Sequence, residues 1–360
     1  MSFAAFFFRP KLGADCVGTR IIFCLAALFL IGLGGCKKKA APLPAPVAET
    51  PTPPLAESAA TPLEISPTPQ PTPTNRLELD SLFAQTDGTI ALQRARTICG
   101  LGSRAYATPG YRQTLAWLRS ELSRLGWHTV YQAFDAKTPA GDRTYTNLIA
   151  TWPNEKAQSS RVIFTAHFDS PGSKVTTFPA ASESAAGCGI LLELAERLAA
   201  TPDVANRVEL VFFDGEEPAQ QISAADGLCG SRFYLHSLSE NDQVKNYRAL
   251  IGFGAVGHNG AHWTLPIMTN SVLNHELQAF AAKQQWSTQI VPIDHPLWGP
   301  HLPALQAGLP ATFLHDGLFS ALGTMDDSPD QLSAVYLRRA ALAALQILRI
   351  SSNSAGKTPD

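Results

Sequence analysis

Apolar residues recur along this chain in two rhythms. In "YRQTLAWLRSELSRLGW" (111–127) they return at helical spacing, with Gly126 near the end, and the stretch predicts a helix. "HTVYQAFDA" and "YTNLIATWP" read as strands on either side of a turn at "KTPAGDR". "RVIFTAHFDS" (161–170), "RVELVFFDG" (207–215) and "RALIGFGAVG" (248–257) are near-continuous apolar runs and read as buried strands, with "LPATFLHDG" (309–317) as a fourth. Between and after them, "GILLELAERLAA" (189–200) and "SAVYLRRAALAALQILRI" (333–350) carry the helical rhythm. Buried strands alternating with helices predict one α/β domain over 76–352, with a mostly parallel, mixed central β-sheet flanked by helices on both faces.

The N-terminal quarter follows neither rhythm. "GTRIIFCLAALFLIGLGGC" sets Arg20 before an apolar run of 21–33, then small residues and Cys36. The run is short for a membrane span and its flanks suit an export signal over 1–35. Leu33-Gly34-Gly35-Cys36 resembles a bacterial lipobox, which implies cleavage before Cys36 and lipidation of its thiol; an uncleaved N-terminal anchor is the alternative. The lysines of "KKK" behind Cys36 suit anionic headgroups, and Lys37 in place of an aspartate points by resemblance to the outer membrane, facing the periplasm or cell surface. Residues 36–75 are dense in Pro, Ala and Thr, cannot bury a core, and read as a spacer. Residues 353–360 read as a disordered tail.

Composition narrows the class. The 360 residues are 45% hydrophobic and 16% charged with a formal net charge of -2, a globular balance that gives no support for a nucleic-acid partner. Beyond Cys36 only Cys99, Cys188 and Cys229 remain, so at most one disulfide can form and the core must stabilise the fold. Cys188 and Cys229 both lie near strand-end loops, which leaves a bridge between them conceivable.

The candidate chemistry sits where strands end, the usual place for sites in open α/β sheets. His167, Asp169, Asp214, Glu216 and Glu217 all follow the last apolar residue of a strand. Two adjacent glutamates at the end of a buried strand repel each other and are costly to desolvate, unless both face water or a cation makes the charge useful.

Taken in order, "TAHFDSPG", "ASESAAGCGILLELAERL", "LVFFDGEEP", "DGLCGSRFYL" and "GTMDDSPDQL" resemble the glutaminyl-peptide cyclotransferases, close relatives of the zinc-dependent aminopeptidases. "DAKTPAGDRTYTNLIATW" resembles the cyclotransferase branch more than the aminopeptidases, and the likeness runs over nearly all of 85–350. It implies zinc held by carboxylates and histidine on loops at the sheet's C-terminal edge, with a coordination position left open for a peptide N-terminus. Residue by residue, it implies Glu216 as the general acid/base and Glu217 as a metal ligand, the alternative being two solvated loop acids. Glu183 falls where the family has an aspartate ligand, and it also suits a plain helix N-terminal acid. His167 and Asp169 match the family's H-x-D strand end and count as candidate metal-site residues, or as a pair holding a loop by hydrogen bonds. In single-zinc cyclotransferases this histidine need not be a ligand. Trp298, His301 and Phe319 are the candidate substrate-pocket residues, Phe319 alternatively plain core.

The likeness is incomplete in the site. The family's His-Thr-Met-Asp-Asp reads Gly323-Thr324-Met325-Asp326-Asp327, so the histidine ligand is replaced by a residue with no donor; His301 or His315 would have to substitute. A second catalytic aspartate aligns with Gly254, and Asp-Asp-His reads Gly299-Pro300-His301. Three functions stay open: a zinc-dependent cyclotransferase forming N-terminal pyroglutamate with ammonia release, a zinc aminopeptidase, and a catalytically impaired lipoprotein that binds peptide N-termini or acts as a scaffold.

Overall fold

The computed structural model describes residues 73–153, 160–172, 178–223, 225–266, 271–293 and 297–353. The export signal, the lipobox with Cys36, most of the spacer and the tail beyond 353 lie outside the described residues. Helices α1 (Pro73–Gln85), α2 (Thr89–Gly100) and α3 (Pro109–Arg124) come first, so regular structure starts a few residues before 76. The hairpin β1 (His128–Thr138) and β2 (Gly141–Thr151) follows, with a turn tighter than "KTPAGDR" because pairing continues to Thr138↔Gly141. Next come β3 (Arg161–His167), a π-helical turn (Ala181–Ala185) running into α4 (Ala186–Ala199), the short α5 (Pro202–Ala205) and β4 (Val208–Phe213). The chain continues through α6 (Cys229–Glu240), β5 (Tyr247–Phe253), β6 (Trp263–Pro266) and α7 (Ser271–Lys283). It ends with β7 (Ile290–Ile293), α8 (His301–Gln306), β8 (Ala311–Leu314) and α9 (Ala334–Asn353).

Six strands form the main sheet in the order β1-β2-β4-β3-β5-β8. β1–β2 and β2–β4 are antiparallel; β4, β3, β5 and β8 run parallel. β6 and β7 make a separate two-stranded parallel ladder. The continuous apolar character of the parallel strands has a direct cause. Val162, Phe164 and Ala166 of β3 pack into the core shared with α2, α4 and α9, whereas Ile163 faces Tyr234, Leu235 and Leu238 of α6. β4 divides likewise, Leu210 and Phe212 to one side and Val211 and Phe213 to the other. Both faces are covered, and each fully buried large side chain contributes about 1.5–3 kcal/mol by leaving water.

One buried acid anchors the first helices to this core. Glu193 in α4 accepts from the backbone N–H groups of Asp87 (3.1 Å), Gly88 (3.1 Å) and Ala91 (3.1 Å), satisfying donors that the start of α2 leaves unpaired. Gly189 lets the same helices touch, since a Cβ there would stand 2.4 Å from the Ala91 carbonyl oxygen. Among the described residues Cys99, Cys188 and Cys229 are free thiols and no helix is long and apolar enough to cross a membrane.

Candidate functional site

The register of the parallel strands brings the polar residues together. His167 at the end of β3 pairs with Phe213 at the end of β4, so "HFDS" and "DGEE" leave the sheet side by side. Gly215 turns the chain there with φ at 67°, and Tyr145 packs so closely that a Cβ would meet its ring at 2.9 Å. The turn aims Glu216 inward at the start of α6. Its carboxylate accepts from the Ser231 N–H (2.8 Å) and the Ser231 Oγ (2.9 Å). Burial lifts its pKa to about 7 against the Ser231 hydrogen bonds, with Asp169 lifting it further.

Glu217 points to the neighbouring loop. Its N–H donates to Asp169 Oδ2 (2.9 Å), and its Oε1 lies 3.9 Å from His167 Nδ1. Asp169 Oδ1 is 3.2 Å from the same imidazole nitrogen. Burial opposes charge on His167, but Asp169, Glu217 and Glu183 overcome it and hold the imidazole up to about 9. Glu183 stands on the π-helical turn; burial lifts its pKa to about 7, against the pull of His167. Its Oε2 is buried without a hydrogen-bond partner. Burial and then Glu183 raise Glu217 well above the usual carboxylate range. The fold thus brings His167, Asp169, Glu183, Glu216 and Glu217 to one strand edge.

Three buried groups, Arg104, Asp327 and His258, hold this edge in shape. Arg104, fully buried, donates to the carbonyls of Phe168 (2.9 Å), Pro179 (2.8 Å) and Ala180 (3.0 Å) and to Ser184 Oγ (3.0 Å), tying the β3 loop to the Glu183 turn. Asp327 accepts from the N–H groups of Ser182 (2.7 Å) and Glu183 (3.1 Å), so "GTMDD" cradles the Glu183 backbone. His258 hydrogen-bonds Ser182 Oγ (2.8 Å) and Asp316 Oδ2 (3.1 Å), and Phe319 stacks on its ring at 3.7 Å. A lone arginine or histidine in a loop carries no sequence signal of such a role; only the fold shows which carbonyls converge on it.

The substituted positions have a steric pattern. His301, Phe313 and His315 form a continuous stack, with centroid separations of 5.4 Å at both steps. A Cβ at Gly254 would stand 2.4 Å from His315 Nδ1, and one at Gly299 would stand 2.6 Å from Phe313 Cε1. The rings therefore fill the space that a side chain at either glycine would need. Gly323 differs: φ is 67° and nothing lies within 4 Å of an added Cβ, so no crowding excludes a side chain there. His301 is fully buried, and the Ala255 N–H donates to His315 Nδ1 (3.1 Å). Trp298 is 45% exposed, and Phe319 is partly buried over His258.

Metal fit turns on donors. Glu183 is close enough to raise Glu217, and the buried Glu183 Oε2 has no hydrogen-bond partner. Yet among the described residues no group of three or more His, Cys, Asp or Glu side chains gathers as a metal-holding cluster. Tetrahedral zinc needs three protein ligands beside an open position, and the residues present do not fit it.

A mostly parallel α/β sheet with buried carboxylates gathered at its C-terminal edge is the arrangement in which open α/β folds place their sites. Residues 147–348 match the model of peptidase family M28, and the chain belongs to that family. It is 33% identical over 148 residues to a glutaminyl-peptide cyclotransferase-like protein of Bos taurus, covering 38% of this chain and 38% of that one. The alignment to a Dictyostelium discoideum glutaminyl-peptide cyclotransferase takes in 45% of the relative's length, so the chain spans less than half of either. The fold is that of an Acidobacteriales bacterium glutaminyl cyclase, with a TM-score of 0.68, 22% identity, and coverage of 75% of this chain and 96% of that one. It is also that of a Zn-dependent exopeptidase of Parabacteroides distasonis, with a TM-score of 0.63, 18% identity, and coverage of 74% and 98%. Family and neighbours together suggest zinc in general terms.

The histidine stack yields a pH prediction. Neither ring nitrogen of His301 has a hydrogen-bond partner, and burial, with His315 adding, pushes its pKa from 6.5 down to about 4. The folded imidazole stays neutral while the unfolded chain takes up a proton below pH 6.5. Its contribution is intact above 6.5 and is lost as pH falls toward 4, by about 3 kcal/mol in all. Urea melts across this range should show a shallower loss in His301→Leu; identical slopes in the two proteins would contradict the assignment.

Proposed function

We propose that this chain is a glutaminyl-peptide cyclotransferase-like protein that receives a peptide N-terminus beside Glu216. The observation that carries the reading is Glu216 itself: buried, fixed by Ser231, and able to exchange a proton near pH 7. In pyroglutamate formation the α-amine attacks the γ-carbonyl carbon, a C–N bond forms, and the amide nitrogen leaves as ammonia. Glu216 takes the proton that the amine sheds and returns it to the departing nitrogen. Positioning the peptide against a fixed carboxylate supplies part of the barrier reduction. The relatives' names as glutaminyl-peptide cyclotransferases support this substrate class.

Zinc is the finer part of the reading, and it rests on Glu183 and Glu217 alone among the matched ligands, with Gly323 where the family has its histidine. That deficit, with glycines at 254 and 299, favours as second reading a peptide-binding relative with impaired catalysis. A zinc aminopeptidase would need the same missing imidazole.

The experiment is ammonia release from a Gln-initiated peptide. The first reading predicts release that Glu216→Gln lowers by at least about 100-fold. Peptide binding without release selects the second reading, and release unchanged in Glu216→Gln removes the assignment of Glu216.

We also propose that Cys36 is lipidated and tethers the domain to the outer membrane through the Pro-rich spacer. Supporting this are the apolar run 21–33, Leu33-Gly34-Gly35-Cys36 and the lysines behind it. Fed palmitate label should enter the protein and be absent from Cys36→Ser; equal labelling of both would contradict lipidation there.

A further inference from the structure

Backbone pairing between β2 and β4 stops at Leu148↔Phe212, short of the turn that carries Glu216. Beyond that point the two strands meet through side chains. The Asp214 N–H donates to Asn147 Oδ1 (3.0 Å), and the Thr146 N–H donates to Asp214 Oδ2 (2.6 Å). Each strand thus offers the other's backbone a side chain in place of a main-chain group. The interposed groups part the strands just where the chain turns at Gly215.

Asn147 is fully buried, and the other half of its amide is also engaged. Its Nδ2 donates to the Gly230 carbonyl (3.0 Å) and to Gln132 Oε1 (3.0 Å). The orientation of the amide is forced, because the Asp214 N–H can only donate and the Gly230 carbonyl can only accept. One side chain therefore joins the residue two before Glu216 to the residue one before Ser231, the group that holds the Glu216 carboxylate. Gly230 is seated too closely for any side chain, since a Cβ would stand 2.3 Å from the Asp214 carbonyl oxygen and 2.4 Å from Asn147 Oδ1. The backbone closes the same contact, with the Cys229 N–H on the Gly215 carbonyl (2.9 Å) and the Leu228 N–H on the Glu216 carbonyl (3.1 Å).

We propose that Asn147 is a positioning residue for Glu216: it fixes the start of α6 against the Asp214–Gly215 turn and so keeps the Ser231 N–H and Oγ on the Glu216 carboxylate. The two backbone bonds act on the carbonyls of Gly215 and Glu216, whereas Asn147 acts on the N–H of Asp214. Attachment on both sides of Gly215 fixes the tilt of the helix start, which one side alone would leave free to pivot. A fixed carboxylate is what proton transfer to a bound peptide needs, because small displacements of the acid/base group are costly in rate. The bond from Asn147 to Gln132 faces the edge strand and takes no part in this tie, which makes Gln132 the control. The geometry of the tie is independent of any reaction; its consequence for turnover rests on the proposed cyclisation.

The test is amide hydrogen exchange, read by NMR on the whole protein, in the unaltered chain, Asn147→Ala and Gln132→Ala. Asn147→Ala should speed exchange of the Ser231 N–H by about tenfold, and Gln132→Ala should leave it unchanged. In the unaltered chain the Asp214 and Ser231 N–H groups should open together, with the same dependence on denaturant. That comparison needs no variant and decides the matter where Asn147→Ala fails to fold. Ser231 exchange unchanged in Asn147→Ala, equal acceleration in Gln132→Ala, or independent opening of Asp214 and Ser231 would each overturn the proposal. Ammonia release from a Gln-initiated peptide supplies the second readout. In Asn147→Ala, kcat should fall by at least about 10-fold with KM kept within about twofold, and the fall should vanish in the Glu216→Gln background. A fall that persists in that background would overturn the link to Glu216. Absence of release from the unaltered chain would remove the cyclisation reading and leave the exchange comparison to decide the role of Asn147.

Discussion

Parallel pairing of β3 with β4, in the register that sets His167 opposite Phe213, places two acidic loops against each other at one sheet edge. Everything else at the site answers the electrostatic cost of that arrangement. Four carboxylates and one imidazole leave water together, and like charges in a low-dielectric edge push protons back onto the acids. The chain meets this locally. Ser231 takes Glu216, His167 stands between Asp169 and Glu217, and Asp327 places its charge on the N–H groups of the Glu183 turn. Arg104 supplies a fully buried guanidinium, bonded to carbonyls so that it fixes loop shape.

The two sides of the edge have different characters. On the Glu216 side the carboxylate is held by two hydrogen bonds from Ser231. On the β5–β8 side, glycines at 254 and 299 leave room for a stack of neutral rings in place of side chains. A reversion to aspartate at either glycine would have to displace Phe313 or His315, so the substitutions and the stack depend on each other. No side chain crowds Gly323, so a donor restored there meets only the backbone strain of its left-handed φ of 67°.

Much of this was legible in the sequence where burial dictates pattern. The four buried strands and the helices at 111–127, 189–200 and 333–350 follow from periodicity, and the strand-end position of "DGEE" follows from the abrupt stop of an apolar run. Family likeness added the pairing of Glu183 with Glu217, which lie 34 residues apart in a way no local pattern connects. The first two helices carry no local start signal, since the N–H groups at the start of α2 are capped by Glu193, far away in sequence. Arg104, His258 and the Tyr111–Asp214 contact were not read either. Each acts through backbone groups or through a residue more than 60 positions away, and such roles exist only once the chain is folded.

The edge keeps Glu183 and Glu217, the carboxylates that the family likeness assigns to a metal, and has Gly323 where that likeness places the imidazole. Calorimetric titration of zinc into the unaltered protein and into Gly323→His tests this most directly. No tight stoichiometric zinc is expected in the unaltered chain, and an affinity higher by about 100-fold once the imidazole is supplied. Tight one-to-one zinc in the unaltered chain, with no gain in Gly323→His, would contradict it.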